Sequence, residues 1–312
     1  MRHLVTLTLL CTALSPGAFG QSPPANTIVG MGYAYPPVAV APGQLITVFV
    51  AGNVEGNISA AVSGNPAPVL EVRRASGCPA STLCSSVTAV TIQIPYEIEP
   101  SCDFTNPACL VVVQAQLTVT ANGVAGPPIE LAPVADRIHI LTACDTVISS
   151  SGGTAPFIGL PCSPMVTHID GSMVTQGNPA QGGEVLVAYA VGLGLTTPAV
   201  ATGQAAATAT PTYETFVLDF NFRPNALATR PVPLCSCPAS APNCPLPCPA
   251  LPIPLYSGLT PGFVGLYQIN FIVPPPPEGT QACSGTVQSN LTVSVGGQYS
   301  FDGAGICVAP PE

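Results

Sequence analysis

Two stretches far apart in the chain are written to one plan. LYQINFIVPPPPEG, Leu266 to Gly279, alternates apolar side chains and then runs into prolines. VTIQIPYEIEP, Val90 to Pro100, does the same before Pro95. Alternation sends successive side chains to opposite faces of a strand. Proline ends a strand because it brings no N–H to the ladder. Aligning Pro95 with Pro274 sets Val90, Ile92 and Ile94 over Ile269, Phe271 and Val273, all expected to face a core. Thr91 and Gln93 are then expected to face water. Three more blocks recur in the same order. PGQLITVFVAGN (Pro42 to Asn53) matches GGEVLVAYAVGLG (Gly182 to Gly194). PAPVL (Pro66 to Leu70) matches PIPLY (Pro252 to Tyr256), and LTVTANG (Leu117 to Gly123) matches LTVSVGG (Leu291 to Gly297).

Short alternating strands punctuated by Gly and Pro predict an all-β fold of two tandem immunoglobulin-like β-sandwich domains. The 38 prolines and 30 glycines among 312 residues also count against helices. The expected organisation is a signal peptide over 1–20, one sandwich over 26–134 and a second over 135–310. The second carries a Pro/Cys-rich insertion near 229–252, preceded by a strand in which Phe216, Leu218, Phe220 and Phe222 alternate. DGS at Asp170 to Ser172 reads as a hairpin turn.

The leader reading rests on Arg2, the apolar run Leu4 to Leu14, and small Ala18 and Gly20 before a cut ahead of Gln21. That run is too short for a permanent span. Cys11 follows bulky Leu10 and is not expected to be lipidated. Lysine is absent; cleavage leaves five arginines against 15 acidic residues, a net charge of about −10. Such a surface repels phosphate backbones, so no nucleic-acid partner is expected, and no membrane span.

Loss of Cys11 leaves an even set of cysteines, which in an exported chain points to disulfides. Proximity suggests Cys78 with Cys84, Cys102 with Cys109, Cys144 with Cys162, and Cys283 with Cys307. Cys235, Cys237, Cys244 and Cys248 lie in CSCPASAPNCPLPCP. Their C-x-C and C-x-x-x-C spacings lack zinc knuckles, so two nested disulfides are expected rather than a metal.

Motifs for catalysis are sparse. There is no G-x-S-x-G, and without lysine no Ser–Lys pair. His139 and His168 are the histidines of the mature chain, with Asp136, Asp145 and Asp170 as nearby carboxylates, but they lack H-E-x-x-H spacing. Glu97 and Glu99 are two apart, yet flanked by Pro95 and Pro100 in a loop-like context, and are expected to be solvated. Asp170 and Asp302-Gly303 lack the acidic pattern of a calcium loop. Tyr33 and Tyr35 are candidates to stack on sugar rings, with turn packing the plainer role. Asn57-Ile58-Ser59 and Asn290-Leu291-Thr292 match the glycosylation pattern. No catalytic, cofactor-binding or metal residue is assigned, and no cofactor is expected.

VTHIDGSMVTQGNPAQGGEVLVAYAVGLG, then GLTPGFVGLYQINFIVP and LTVSVGG, resembles the Solibacter-type uncharacterised C-terminal domain family of exported acidobacterial proteins. The DGS turn, Asn178-Pro179-Ala180, Gly192-Leu193-Gly194 and the run Pro261-Gly262…Gly265-Leu266-Tyr267-Gln268-Ile269-Asn270 carry the match. The resemblance implies an exported immunoglobulin-like module and brings no activity with it. The expected function is a non-catalytic exported module for adhesion, surface structure or protein interaction. The alternative is a carbohydrate-binding module working with secreted glycosidases. Either way the expected partner is a protein or a glycan, outside the cytoplasm.

Overall fold

The computed structural model describes residues 24, 26–31, 38–52, 54–74, 87–100, 114–145, 162–232 and 251–311. Among these the chain is all β, with nineteen strands and no helix. The first half holds β1 (Ile28–Gly30), β2 (Val38–Val40), β3 (Leu45–Ala51), β4 (Ile58–Val62), β5 (Asn65–Ala67), β6 (Val69–Arg74), β7 (Val87–Gln93), β8 (Ala115–Ala121), β9 (Val124–Ala125) and β10 (Ile129–Pro133). The second half holds β11 (His139–Ile140), β12 (Val166–His168), β13 (Val185–Val191), β14 (Thr210–Pro211), β15 (Val217–Asn221), β16 (Tyr256–Leu259), β17 (Tyr267–Ile272), β18 (Leu291–Gly296) and β19 (Phe301–Ile306).

In the first half one sheet has the order β1-β3-β7-β6, and the facing sheet runs β2-β10-β8-β4-β5 with β9 on β8. In the second half the sheets run β11-β13-β17-β16-β14, with β12 on β13, and β15-β18-β19. Both halves therefore set an A-B-E-D order against G-F-C, the strand order of an immunoglobulin sandwich. Even the parallel crossover is shared. β2 runs parallel to β10, and Ala180 makes a parallel bridge to Val308. Register follows the aligned blocks: Leu45 stands opposite Gln93, and Val185 opposite Ile272.

Each half closes around its own core. Val48, Val50, Val90 and Ile92 pack against Val62, Leu117, Val119 and Leu131. Leu186, Ala188, Ile269 and Phe271 pack against Leu218, Leu291, Val293 and Ile306. A small third cluster of Leu45, Leu141 and Val191 joins the halves.

Two expectations need correction. Thr91 and Gln93 do not face water; both are buried. Thr91 bonds Thr47 across the sheet at 3.0 Å, and Gln93 accepts from Gly203 N of the second half at 2.7 Å. At Gln93 the outward face of β7 meets the second half, so alternation there separates two interiors rather than core from solvent. Asn290 is no glycan acceptor in the folded chain. It is 1% exposed, and its amide donates to Gln281 O and Val308 O. Asn57 is exposed.

Disulfides join Cys144 to Cys162 and Cys283 to Cys307, with Cα separations of 5.3 and 5.8 Å. Cys78, Cys84, Cys102, Cys109, Cys235, Cys237, Cys244 and Cys248 lie outside the described residues, as do Tyr33, Tyr35 and residues 1–20. The Cys283–Cys307 bridge closes a loop with a sequence separation of 24, ending just beyond β19. Replacing both cysteines by Ala is expected to lower the unfolding free energy by about 2–4 kcal/mol. Urea titration of the oxidised wild type against the double variant measures it.

A candidate binding cleft between the two sandwiches

The junction starts from the turn Gly192-Leu193-Gly194, which comes directly after β13. Both glycines have positive φ, near 79°. The connecting backbone lies directly on them. A Cβ at Gly192 would sit 2.0 Å from Arg137 O, and one at Gly194 would sit 2.1 Å from Ala135 O. Arg137 N donates to Gly192 O at 2.7 Å. Glycine is required here by close approach as well as by conformation. Beside this contact Asp136 is fully buried and accepts from Tyr299 N, Ser300 N and Ser300 Oγ at 2.8–3.1 Å. Ser300 Oγ in turn accepts from Ile138 N at 2.7 Å. Asp136, read from sequence as a candidate ligand, instead ties the connector to the β18–β19 turn.

A chain of hydroxyls crosses the junction. Tyr267, fully buried at the start of β17, donates to Gly194 O. Its single proton is then committed, so Tyr96 donates to Tyr267 Oη, at 3.3 Å. Burial holds the Tyr267 hydroxyl well above the usual tyrosine range, with the Tyr96 hydroxyl adding to the effect. Burial also raises Tyr96, while its bond to Tyr267 pulls the other way. Room for the Tyr96 ring comes from Gly43, φ 75°, where a Cβ would fall 2.1 Å from Tyr96 Cε1. Next door, Tyr96 N donates to Thr202 Oγ1 at 2.9 Å, and Thr202 Oγ1 donates to Glu97 Oε2 at 2.7 Å.

Above these bonds lies an open cleft of about 530 Å³. Tyr96 and Glu97 of the first half line it, with Leu195, Thr196, Ala199, Val200, Ala201 and Tyr213 of the second. Part of its wall is already paired: Tyr213 N donates to Leu195 O, Thr196 bridges Thr212, and Thr196 Oγ1 donates to Pro198 O. Glu97 is the sole carboxylate of the lining. The Glu97/Glu99 pair weighed from sequence is thus not a pair in the cleft.

The two histidines do not converge. His139 stands opposite Val191 and His168 opposite Leu186, five residues apart along β13 and so roughly 17 Å. His139 lies between Asp145 (Nε2 to Oδ1, 3.0 Å) and Asp302 (Nδ1 to Oδ2, 3.1 Å). These bonds, Asp145 first, outweigh burial and push its pKa up to about 10. Asp302 also accepts from Ile140 N, and Asp145 from Thr142 N and Oγ1, so both carboxylates are used inside the fold. His168 bonds Glu184 through Nδ1 and Asn178 O through Nε2. Burial is the largest single influence and works to lower it, but the Glu184 bond, the Asn178 carbonyl and the Glu184 and Asp170 charges together leave its pKa raised. Asp170 is held by Ser172 in the DGS turn, where Gly171 has φ 85°. Among the described residues no cluster of three His, Cys, Asp or Glu side chains is arranged to hold a metal.

Sequence patterning does not bring out Gln93, Thr202, Leu195 and Tyr213. Gln93, an amide inside an apolar strand, is the one available signal. The others come from loops about a hundred residues away from Tyr96.

No family model and no curated protein matches the chain. Among solved structures, the C-terminal domain of the Streptococcus agalactiae AgI/II polypeptide BspA aligns at 8% identity over 91% of this chain and 95% of that chain. The TM-score is 0.17, which does not establish a common fold.

Two outcomes are expected. Tyr267→Phe strands Gly194 O in a buried site and is expected to destabilise by about 1–3 kcal/mol, against about 1 for Tyr96→Phe. Denaturant melts of both singles and the double read the coupling. For His139, the folded pKa lies above the unfolded value of about 6.5. Its contribution to stability is therefore complete below about 6.5 and is lost as pH rises through about 10. Its ring is half exposed, so solvent screens the pair and the effect is modest. Imidazole NMR should find His139 still protonated at neutral pH.

Proposed function

We propose that this chain is an exported, non-catalytic module in which two immunoglobulin-like sandwiches act as one rigid unit for adhesion, surface structure or protein interaction. The carrying observation is the junction. Gln93 with Gly203, Tyr96 with Tyr267 and with Thr202, and Thr202 with Glu97 each bond across it. A free hinge would suit a lid over chemistry; a fixed angle suits a spacer or a presenting surface. Export is supported by the Cys144–Cys162 and Cys283–Cys307 bridges, which persist in oxidising compartments. The resemblance to the Solibacter-type domain family belongs to the same reading.

The histidines support the non-catalytic part. A general base must be unprotonated at working pH. His139, with a pKa of about 10, is a cation at neutral pH, and both ring nitrogens of His168 are used in bonds to Glu184 and Asn178 O. His139 links β11 to β19, and His168 links β12 to the segment leading into β13.

Expression with the native leader should yield a chain starting at Gln21 outside the cytoplasm, oxidised at its cysteines. Pull-down with that chain should recover a surface partner. A reproducible turnover of ester, glycoside or peptide substrates that disappears in His168→Ala would overturn the reading.

A further inference from the structure

The interdomain cleft differs from the rest of the molecule in what it leaves free. His139, Asp145, Asp302, Asp136 and His168 all end in internal bonds. Glu97 uses only Oε2, for Thr202; among the described residues no donor reaches its Oε1. Tyr213 is 72% exposed beside Leu195, itself 39% exposed. Tyr213 and Glu97 line the same cleft, the ring largely in water and one carboxylate oxygen without a donor among the described residues.

We propose that this cleft binds a short neutral glycan, one or two hexopyranose units seated between Tyr213 and Glu97. A pyranose presents an apolar C–H face and a rim of hydroxyls. The face suits the exposed ring of Tyr213 and the apolar wall of Leu195, Ala199 and Val200. Neighbouring hydroxyls donate to a carboxylate in short, charge-assisted bonds, and Glu97 is held ready for them by Thr202, itself fixed by Tyr96 N. The volume of about 530 Å³ falls within the range of small-ligand sites at domain junctions. Charge selects among sugars: the lining has Glu97 and no base, so uronates and sulfated sugars are repelled. An extended peptide fits less well. Strand addition needs unpaired backbone groups, and along this wall Leu195 O and Tyr213 N already bond each other while Thr196 bridges Thr212.

The site rests on the reading of this chain as a binding module, and the test separates the two. Calorimetric titration of the full oxidised chain with cellotetraose, chitotetraose and mannotetraose should show binding of at least one. Tyr213→Ala and Glu97→Gln should each weaken it by roughly tenfold or more. Leu227→Ala, 86% exposed and outside the cleft lining, should leave it unchanged. Because Tyr213 is so exposed, its variant should melt like wild type, which keeps loss of binding distinct from loss of fold. No binding to any of the three, or binding indifferent to both cleft variants, overturns the site. So does capture of a proline-rich peptide in place of the glycans, abolished by Tyr213→Ala. Reducing ends released from the same samples would sink the non-catalytic reading while leaving the site standing.

Discussion

The contact of the connecting backbone with Gly192 and Gly194 governs how the two sandwiches meet. Carbonyls of Ala135 and Arg137 occupy the space that two Cβ atoms would need. Once they do, Leu193 is driven into the second core, fully buried, and Gly194 O is left pointing where Tyr267 can donate to it. Tyr267 opens β17, the strand that pairs along six residues of β13. One close approach therefore links the exit of the first sandwich, the central strands of the second, and the hydroxyl chain to Tyr96.

Buried polar groups then hold the angle between the halves. In a chain with 47% hydrophobic and 7% charged residues, apolar contact alone would let two greasy surfaces slide. Apolar burial has no direction, and the shared cluster of Leu45, Leu141 and Val191 is small. Gln93, Tyr267 and Tyr96 supply direction, because Gln93 and Tyr267 are buried and the partners Gly203, Tyr96 and Thr202 meet them from across the junction in specific positions. A displaced domain would separate Gln93 from Gly203 N, at about 1–3 kcal/mol, and break the Tyr96 bonds to Tyr267 and Thr202 as well. Such wrong angles are disfavoured by several interactions at once.

The strands were legible because period-2 patterning is local. Ile269, Phe271 and Val273 could be assigned inward from their own neighbours, and the aligned blocks pair in the same register in both halves. The junction was not legible for the complementary reason. Nothing near Gln93 in sequence reveals that Gly203 lies over it, so alternation alone placed it in water. Asn290 fails as a sequon for a similar reason: its partners Gln281 and Val308 flank it across a turn and a strand. The cleft is assembled from the segments after β7, β13 and β14, and only packing of the sandwiches makes it a site. The Gly-Leu-Gly turn was visible as a motif, but its cause, a second peptide resting on it, lies fifty-odd residues upstream in the connector.

Scarcity of charge gives the remaining ionisable groups unusual weight. With no lysine and six arginines against 15 acidic residues, few carboxylates can be neutralised by a surface pair such as Arg73 with Glu71. The fold answers by placing His139 between Asp145 and Asp302 and setting Asp136 against backbone amides. Each such use removes an acid from chemistry with solvent. Glu97 escapes because Thr202, a hydroxyl, brings one proton and occupies one oxygen. The cleft therefore receives a carboxylate held by Thr202 and half satisfied, in the same lining as an exposed ring, and on that combination the proposed glycan site rests.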